Sequence, residues 1–135
     1  MKKEQAQRLM AEYTAKQARI ESLARQLTLI DASISELNIA KEFLTNLKNM
    51  KNDQDILVPI GANILAFGSI RNTKEVLVSI GAEVFAKKSV EDALKYVESR
   101  INDLNKAKEN IQKEIVSLQG ELERIRPELE KILQR

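Results

Sequence analysis

Very few residues in this 135-residue chain could do covalent or acid–base chemistry. Histidine and cysteine are both absent, which removes imidazole catalysis, thiol nucleophiles, disulfides and the usual zinc ligands. The acidic pair Asp53 and Asp55 sits in a polar connector where a break between helix and strand is the ordinary explanation. No glycine-rich phosphate cradle is present. The expectation is therefore no catalytic residue, no metal, no cofactor and no enzymatic activity.

Charge excludes other classes. The chain carries 22 basic and 20 acidic residues for a net charge of +2. The doublets Lys2-Lys3 and Lys87-Lys88 are too short to make the basic stripe a nucleic-acid partner would require. No apolar run approaches the ~18–20 residues of a membrane span. Met1 to Gln7 leads directly into amphipathic helix without a signal-peptide pattern, so a cytoplasmic location is expected.

The informative signal is apolar spacing. In the first segment, residues 1–53, Ala6, Tyr13, Ile20, Leu27, Ile34, Lys41 and Lys48 occupy heptad position a. Leu9, Lys16, Leu23, Ile30, Leu37, Leu44 and Lys51 occupy d, so ten of fourteen are apolar. In the last segment, residues 89–135, a holds Leu94, Ile101, Lys108, Ile115, Leu122 and Leu129. There d holds Val97, Leu104, Ile111, Leu118, Ile125 and Ile132, so eleven of twelve are apolar. Ser89 reads as an N-cap, with Glu91 and Asp92 in the first turn where the helix dipole favours acids. Pro127 removes a backbone donor and is expected to kink or loosen the last turns.

Two helices of about 67 Å each at 1.5 Å per residue are expected to fold back antiparallel, with paired residue numbers adding to about 142. Leu9 then faces Leu133, Tyr13 faces Leu129 and Ile34 faces Lys108. A second apolar stripe of Leu29, Ile39, Phe43, Leu47 and Met50 is expected to pack near the insert.

Residues 55–88 repeat themselves. Ile56-Leu57-Val58-Pro59-Ile60-Gly61-Ala62 returns twenty positions later as Val76-Leu77-Val78-Ser79-Ile80-Gly81-Ala82. Four strands follow, Ile56–Ile60, Ile64–Ile70, Val76–Ile80 and Val84–Lys87, in two hairpins that turn at Gly61-Ala62-Asn63 and Gly81-Ala82-Glu83. Both faces of each hairpin are apolar, and an isolated hairpin is marginal in water with edges open to strand addition. Burial then requires other subunits, most economically by closing a barrel from several chains. The candidate assembly residues are Ile56, Val58, Ile60, Ile64, Phe67, Val76, Val78, Ile80, Val84 and Phe85. The fold class is mainly α with a small β insert: a long antiparallel two-helix coiled coil joined by two β-hairpins.

These features resemble the α class of the prefoldin family over essentially the whole chain. The likeness is strongest in Leu57-Val58-Pro59-Ile60-Gly61-Ala62, in Val76-Leu77-Val78-Ser79-Ile80-Gly81-Ala82, and in Lys87-Lys88-Ser89 leading to Ala93. One departure stands out, since Glu83 occupies a position that is glycine in the family pattern. The resemblance implies an ATP-independent co-chaperone in which two α and four β subunits build a double β-barrel carrying six coiled-coil arms. Unfolded polypeptides would be held at the arm tips and passed to a group II chaperonin. Leu9, Met10, Tyr13, Leu129, Ile132 and Leu133 are the candidate client-binding residues. The alternative is a homo-oligomer or filament of the same fold with a structural role.

Overall fold

A computed structural model describes residues 2–134, in the order α1 (Lys2–Leu47), β1 (Gln54–Gly61), β2 (Ile64–Ile70), β3 (Glu75–Gly81), β4 (Val84–Ser89) and α2 (Val90–Leu133). The chain divides into two compact units, Met1–Ile34 with Asp103–Arg135, and Ser35–Asn102.

In the first unit the helix pair buries one stripe. From α1 the half-buried or buried seam residues are Ala6, Leu9, Tyr13, Lys16, Ile20, Leu23, Leu27, Ile30 and Ile34, as the heptads require. From α2 they include Leu104, Lys108, Ile111, Ile115, Leu118, Leu122, Ile125 and Leu129. Leu23 is among the two most deeply buried side chains of the chain. Gly120 has open space where a side chain would stand. The helix also continues through Pro127 to Leu133, because a proline near a helix end forfeits little of the backbone ladder.

The pairing register differs from expectation by about one helical turn. Tyr13 with Arg126, Lys16 with Glu121 and Asp31 with Lys108 have numbers that add to 139, 137 and 139. A sum near 138 sets each a residue against a d residue of the other helix, Leu9 against Leu129 and Ile30 against Lys108. The expected sum of 142 sets like positions together and leaves the stripes out of step. That sum corresponds to a first helix that runs to Asp53, opposite Ser89, whereas α1 ends at Leu47.

In the second unit α1 ends at Leu47, six residues before Asp53. Asn46, Asn49, Asn52 and Asp53 gather there, residue types that favour turns over helix interiors. Met50 N donates to Leu47 O, and Asp53 N donates to Ile70 O at 2.8 Å. The seam also shifts by one residue. After Leu37 the covered residues are Ala40, Leu44 and Leu47, while Lys41 and Lys48 are exposed. Two successive three-residue steps overwind the pair locally, and they replace two lysines by two apolar side chains. Leu44, Leu47, Val90, Ala93, Leu94 and Val97 form the core cluster of this unit. The expected stripe separates accordingly: Leu47 is buried and Met50 half-buried, but Ile39 and Phe43 are exposed, as is Leu29 in the first unit.

The insert is two separate antiparallel hairpins, β1–β2 and β3–β4. Their registers are copies at a twenty-residue offset: Leu57 pairs Phe67 as Leu77 pairs Lys87, and Gly61 pairs Ile64 as Gly81 pairs Val84. Each first strand carries one extra residue, Ile60 or Ile80, in a bulge before the glycine. The two loop residues have positive φ in both hairpins, 50° and 61° at Ala62 and Asn63, 47° and 60° at Ala82 and Glu83. That is the geometry of the tight turn whose twist matches the strands. At the base, Asn72 Oδ1 accepts from Lys74 N and Glu75 N, Val90 N donates to Lys74 O, and Ser89 Oγ caps α2 by accepting from Asp92 N at 3.1 Å.

Three substitutions test this arrangement by thermal and urea unfolding. Leu47→Ala is expected to cost about 2–5 kcal/mol, while Lys48→Ala, at the position the unbroken heptad would bury, changes stability by less than about 0.5 kcal/mol. Glu83→Gly is expected to stabilise by up to about 1 kcal/mol, since a left-handed non-glycine residue costs about 1–2 kcal/mol and glycine returns part of that as chain entropy.

Candidate interaction surfaces

Strand alternation gives each hairpin two faces. In β1–β2 one face carries the pairs Ile56 with Gly68 and Val58 with Ala66, and the other carries Leu57 with Phe67 and Pro59 with Leu65. A side chain at Gly68 would stand 3.4 Å from Val58 Cγ2, so these neighbours already lean over the glycine. In β3–β4 the corresponding pairs are Val76 with Lys88 and Val78 with Ala86, against Leu77 with Lys87 and Ser79 with Phe85.

The ten expected assembly residues fall into distinct surroundings. Val76 and Val78, with Ile70, pack against the helix cluster of their own chain. Ile56 is half-buried. Val58, Ile60, Ile64, Phe67, Ile80, Val84 and Phe85 are exposed, Phe67 almost entirely at 93%. Ile60 and Ile80 project from the bulges. Leu57, Leu65 and Leu77 are exposed beside them and belong to the same surface, although the sequence reading did not single them out. Their signal was present in the unbroken apolar runs. Each hairpin is a two-stranded sheet, so among the described residues both of its strands keep an unpaired edge.

The second surface lies where the first turns of α1 meet the last turns of α2, within the first unit. Here the six expected client-binding residues divide between seam and surface. Leu129 is buried, Leu9, Tyr13 and Ile132 are half-buried, and Met10 and Leu133 are 47% and 64% exposed. Tyr13 OH accepts from Arg126 Nη2 at 3.3 Å. That bond raises the guanidinium pKa further above its ordinary value.

Next inward is a seam lysine made tolerable by two acids. Lys16 Nζ lies 2.8 Å from Glu121 Oε2 on α2 and 3.2 Å from Glu12 Oε1 on its own helix. The hydrogen bond to Glu121, then that to Glu12, raises the lysine pKa. The same bond holds Glu121 below the usual carboxylate range. Arg19 with Glu114 and Lys108 with Asp31 add two more interhelix pairs.

Among the described residues no cluster of acids could hold a metal ion, and no helix is long and apolar enough to cross a membrane. The arrangement of the described residues offers apolar surface and charge pairs.

Comparison with known proteins agrees with this picture. The family described as Prefoldin subunit matches residues 3–135. The chain is 33% identical over 95 residues to Prefoldin subunit alpha 1 of Thermococcus kodakarensis, covering 70% of this chain and 65% of that one. It is 32% identical over 112 residues to Prefoldin subunit alpha of Methanopyrus kandleri, covering 83% and 71%. Over 130 residues it is 26% identical to Prefoldin subunit alpha of Pyrococcus horikoshii, covering 96% and 88%. Among solved structures it is similar to filamentous PFD from Methanocaldococcus jannaschii, with a TM-score of 0.72 and 28% identity, covering 87% of this chain and 98% of that one.

The Lys16 triad has a testable pH signature. Glu121 has a lowered pKa, so its contribution is present above the ordinary carboxylate value and is lost as pH falls through the folded value. Lys16 has a raised pKa, so its contribution holds below the ordinary lysine value and is lost only as pH rises through the folded one. Followed by circular dichroism, the thermal midpoint of Glu121→Gln is expected to fall less on acidification than that of the parent chain.

Proposed function

The chain belongs to the prefoldin family, as an alpha-class subunit of archaeal type, and on that premise we propose that it serves a cytoplasmic, ATP-independent co-chaperone as one of its assembling subunits. In this reading two copies join four β-class subunits through the hairpins. The arm ends hold unfolded polypeptides and hand them to a group II chaperonin. The chain has no enzymatic step to perform, and neither nucleic acid nor membrane is a partner.

One observation carries the reading. Ten large apolar side chains of the hairpins, Phe67 foremost, lie uncovered in the single chain. Exposed apolar patches of that extent are interaction sites in proteins that remain dispersed, and hiding them gains about 25 cal/mol per Å². Open strand edges add directional hydrogen bonding to the same drive. Assembly through the hairpins leaves the ends of α1 and α2 free to work on something else.

At those ends, Met10 and Leu133 offer a small apolar surface, with Leu9, Tyr13, Leu129 and Ile132 beneath it in the seam. A single contact of this size is weak. Several arms on one platform raise the effective concentration of each for the same client and multiply affinity without tight local fit. Weak separate contacts also permit stepwise release.

A second reading is a homo-oligomeric filament built on the same fold. The likeness to a filamentous PFD structure, extending over 98% of that chain, favours it. Native mass measurement separates the two: a closed hetero-hexamer with a β-class partner supports the first reading, and open-ended growth of this chain alone supports the second.

Two sets of variants test the division of labour. Leu57→Lys with Phe67→Lys is expected to abolish assembly while leaving helix content unchanged, because neither side chain joins the helix cluster. Met10→Ser with Leu133→Ser is expected to weaken suppression of aggregation of a denatured protein several-fold at unchanged assembly mass. Undiminished suppression would remove the arm ends from the account.

A further inference from the structure

We propose that the arm end selects, among unfolded chains, apolar segments flanked by aspartate or glutamate. This rests on the reading that the same end captures clients, and it specifies which ones.

The charge distribution is uneven. Residues 2–13 and 124–134 carry Lys2, Lys3, Arg8, Arg124, Arg126 and Lys131 against Glu4, Glu12, Glu128 and Glu130. Residues 14–123 carry 15 basic and 16 acidic residues. The positive excess of the described chain is therefore confined to the end where Met10 and Leu133 are exposed. One of the four acids there, Glu12, is engaged by Lys16.

Of these cations only Arg126 is engaged between the helices, through its bond to Tyr13 OH. All four salt bridges among the described residues lie between positions 12 and 31 or 108 and 121, and none includes Lys2, Lys3, Arg8, Arg124 or Lys131. Helix stability does not account for Lys2 and Lys3 either. They sit in the first turn of α1, where the positive end of the dipole disfavours cations.

Geometry brings the charge to an apolar contact. Lys2 and Gln5 of α1 line one shallow groove with Lys131 and Ile132 of α2, of about 140 Å³. A groove of that size, lined by two lysines and an isoleucine, suits a short carboxylate side chain with an apolar stem. Leu133 and Met10 would receive the apolar residues on either side. A segment flanked by lysine would meet like charge in the same groove and bind less well.

Peptide binding to the full chain in its assembled form, read by fluorescence anisotropy, tests the proposal. One apolar sequence is flanked by aspartate, by serine or by lysine, with the C-terminus amidated. A fourth peptide pairs the serine flanks with a free C-terminal carboxylate. The aspartate-flanked peptide is expected to bind about fivefold tighter than the lysine-flanked one at low salt, with the gap closing as salt rises. Lys2→Glu with Lys131→Glu should remove or reverse that preference, and Lys106→Glu should leave it in place. Equal binding of all peptides would overturn the selectivity while leaving client capture standing. Tighter binding of the free-carboxylate peptide alone would also overturn it, since the chain terminus would then be what is read. Failure of every peptide to bind would sink the client-capture reading itself.

Discussion

Everything in this chain depends on a single apolar stripe shared by two helices. In the first unit the stripe is all the described residues bury, and in the second only Ile70, Val76 and Val78 of the hairpins add to it. Such a seam buries little per residue and tolerates few errors of phase. Three features keep it in phase: the a-against-d pairing set by a residue sum near 138, the local overwinding after Leu37, and the acids that accompany each seam lysine. Lys16 and Lys108 stand at the edge of the stripe, where their stems lie along it and their ammonium groups meet Glu121 and Asp31.

Periodicity made most of this legible before any coordinates. The strict heptads of α2, its Ser89 cap and the position of both hairpins follow directly from residue type and spacing. The end of α1 did not. Nothing in Lys48 to Asp53 is a glycine or proline, and helix breaking is spread over Asn46, Asn49, Asn52 and Asp53, each only a weak helix former. That error carried into the pairing register, which was counted from the wrong end point. The shift to Ala40 and Leu47 was also hidden, since Lys41 and Lys48 continue the heptad count and only their mismatch with an apolar partner reveals the break. At the interaction surfaces the apolar runs identified the right strands. They could not say which face a chain uses for itself, and Val76 and Val78 turned out to serve the internal cluster.

The duplicated hairpins show how one backbone frame can present two different surfaces. Register, bulge and turn are conserved between the copies down to the sign of φ at each loop residue. Divergence falls on the returning strands, where Phe67 and Gly68 in one copy stand at the places of Lys87 and Lys88 in the other. The first copy is the freer, more apolar one; the second lies on its own helices and carries charge at its border. Duplication supplied the scaffold, and a few substitutions made the copies unequal.

The unpaired strand edges have a consequence for how such a protein must be produced. A copy not yet assembled carries adhesive borders with no occupant, and any extended segment nearby can fill them. Lys87 and Lys88 act as gatekeepers on one border, where charge discourages stray strands. The β1–β2 hairpin has no comparable guard beyond Asp55. An unassembled chain is therefore a liability to its surroundings, and the speed with which it is taken into an assembly becomes part of its physical chemistry.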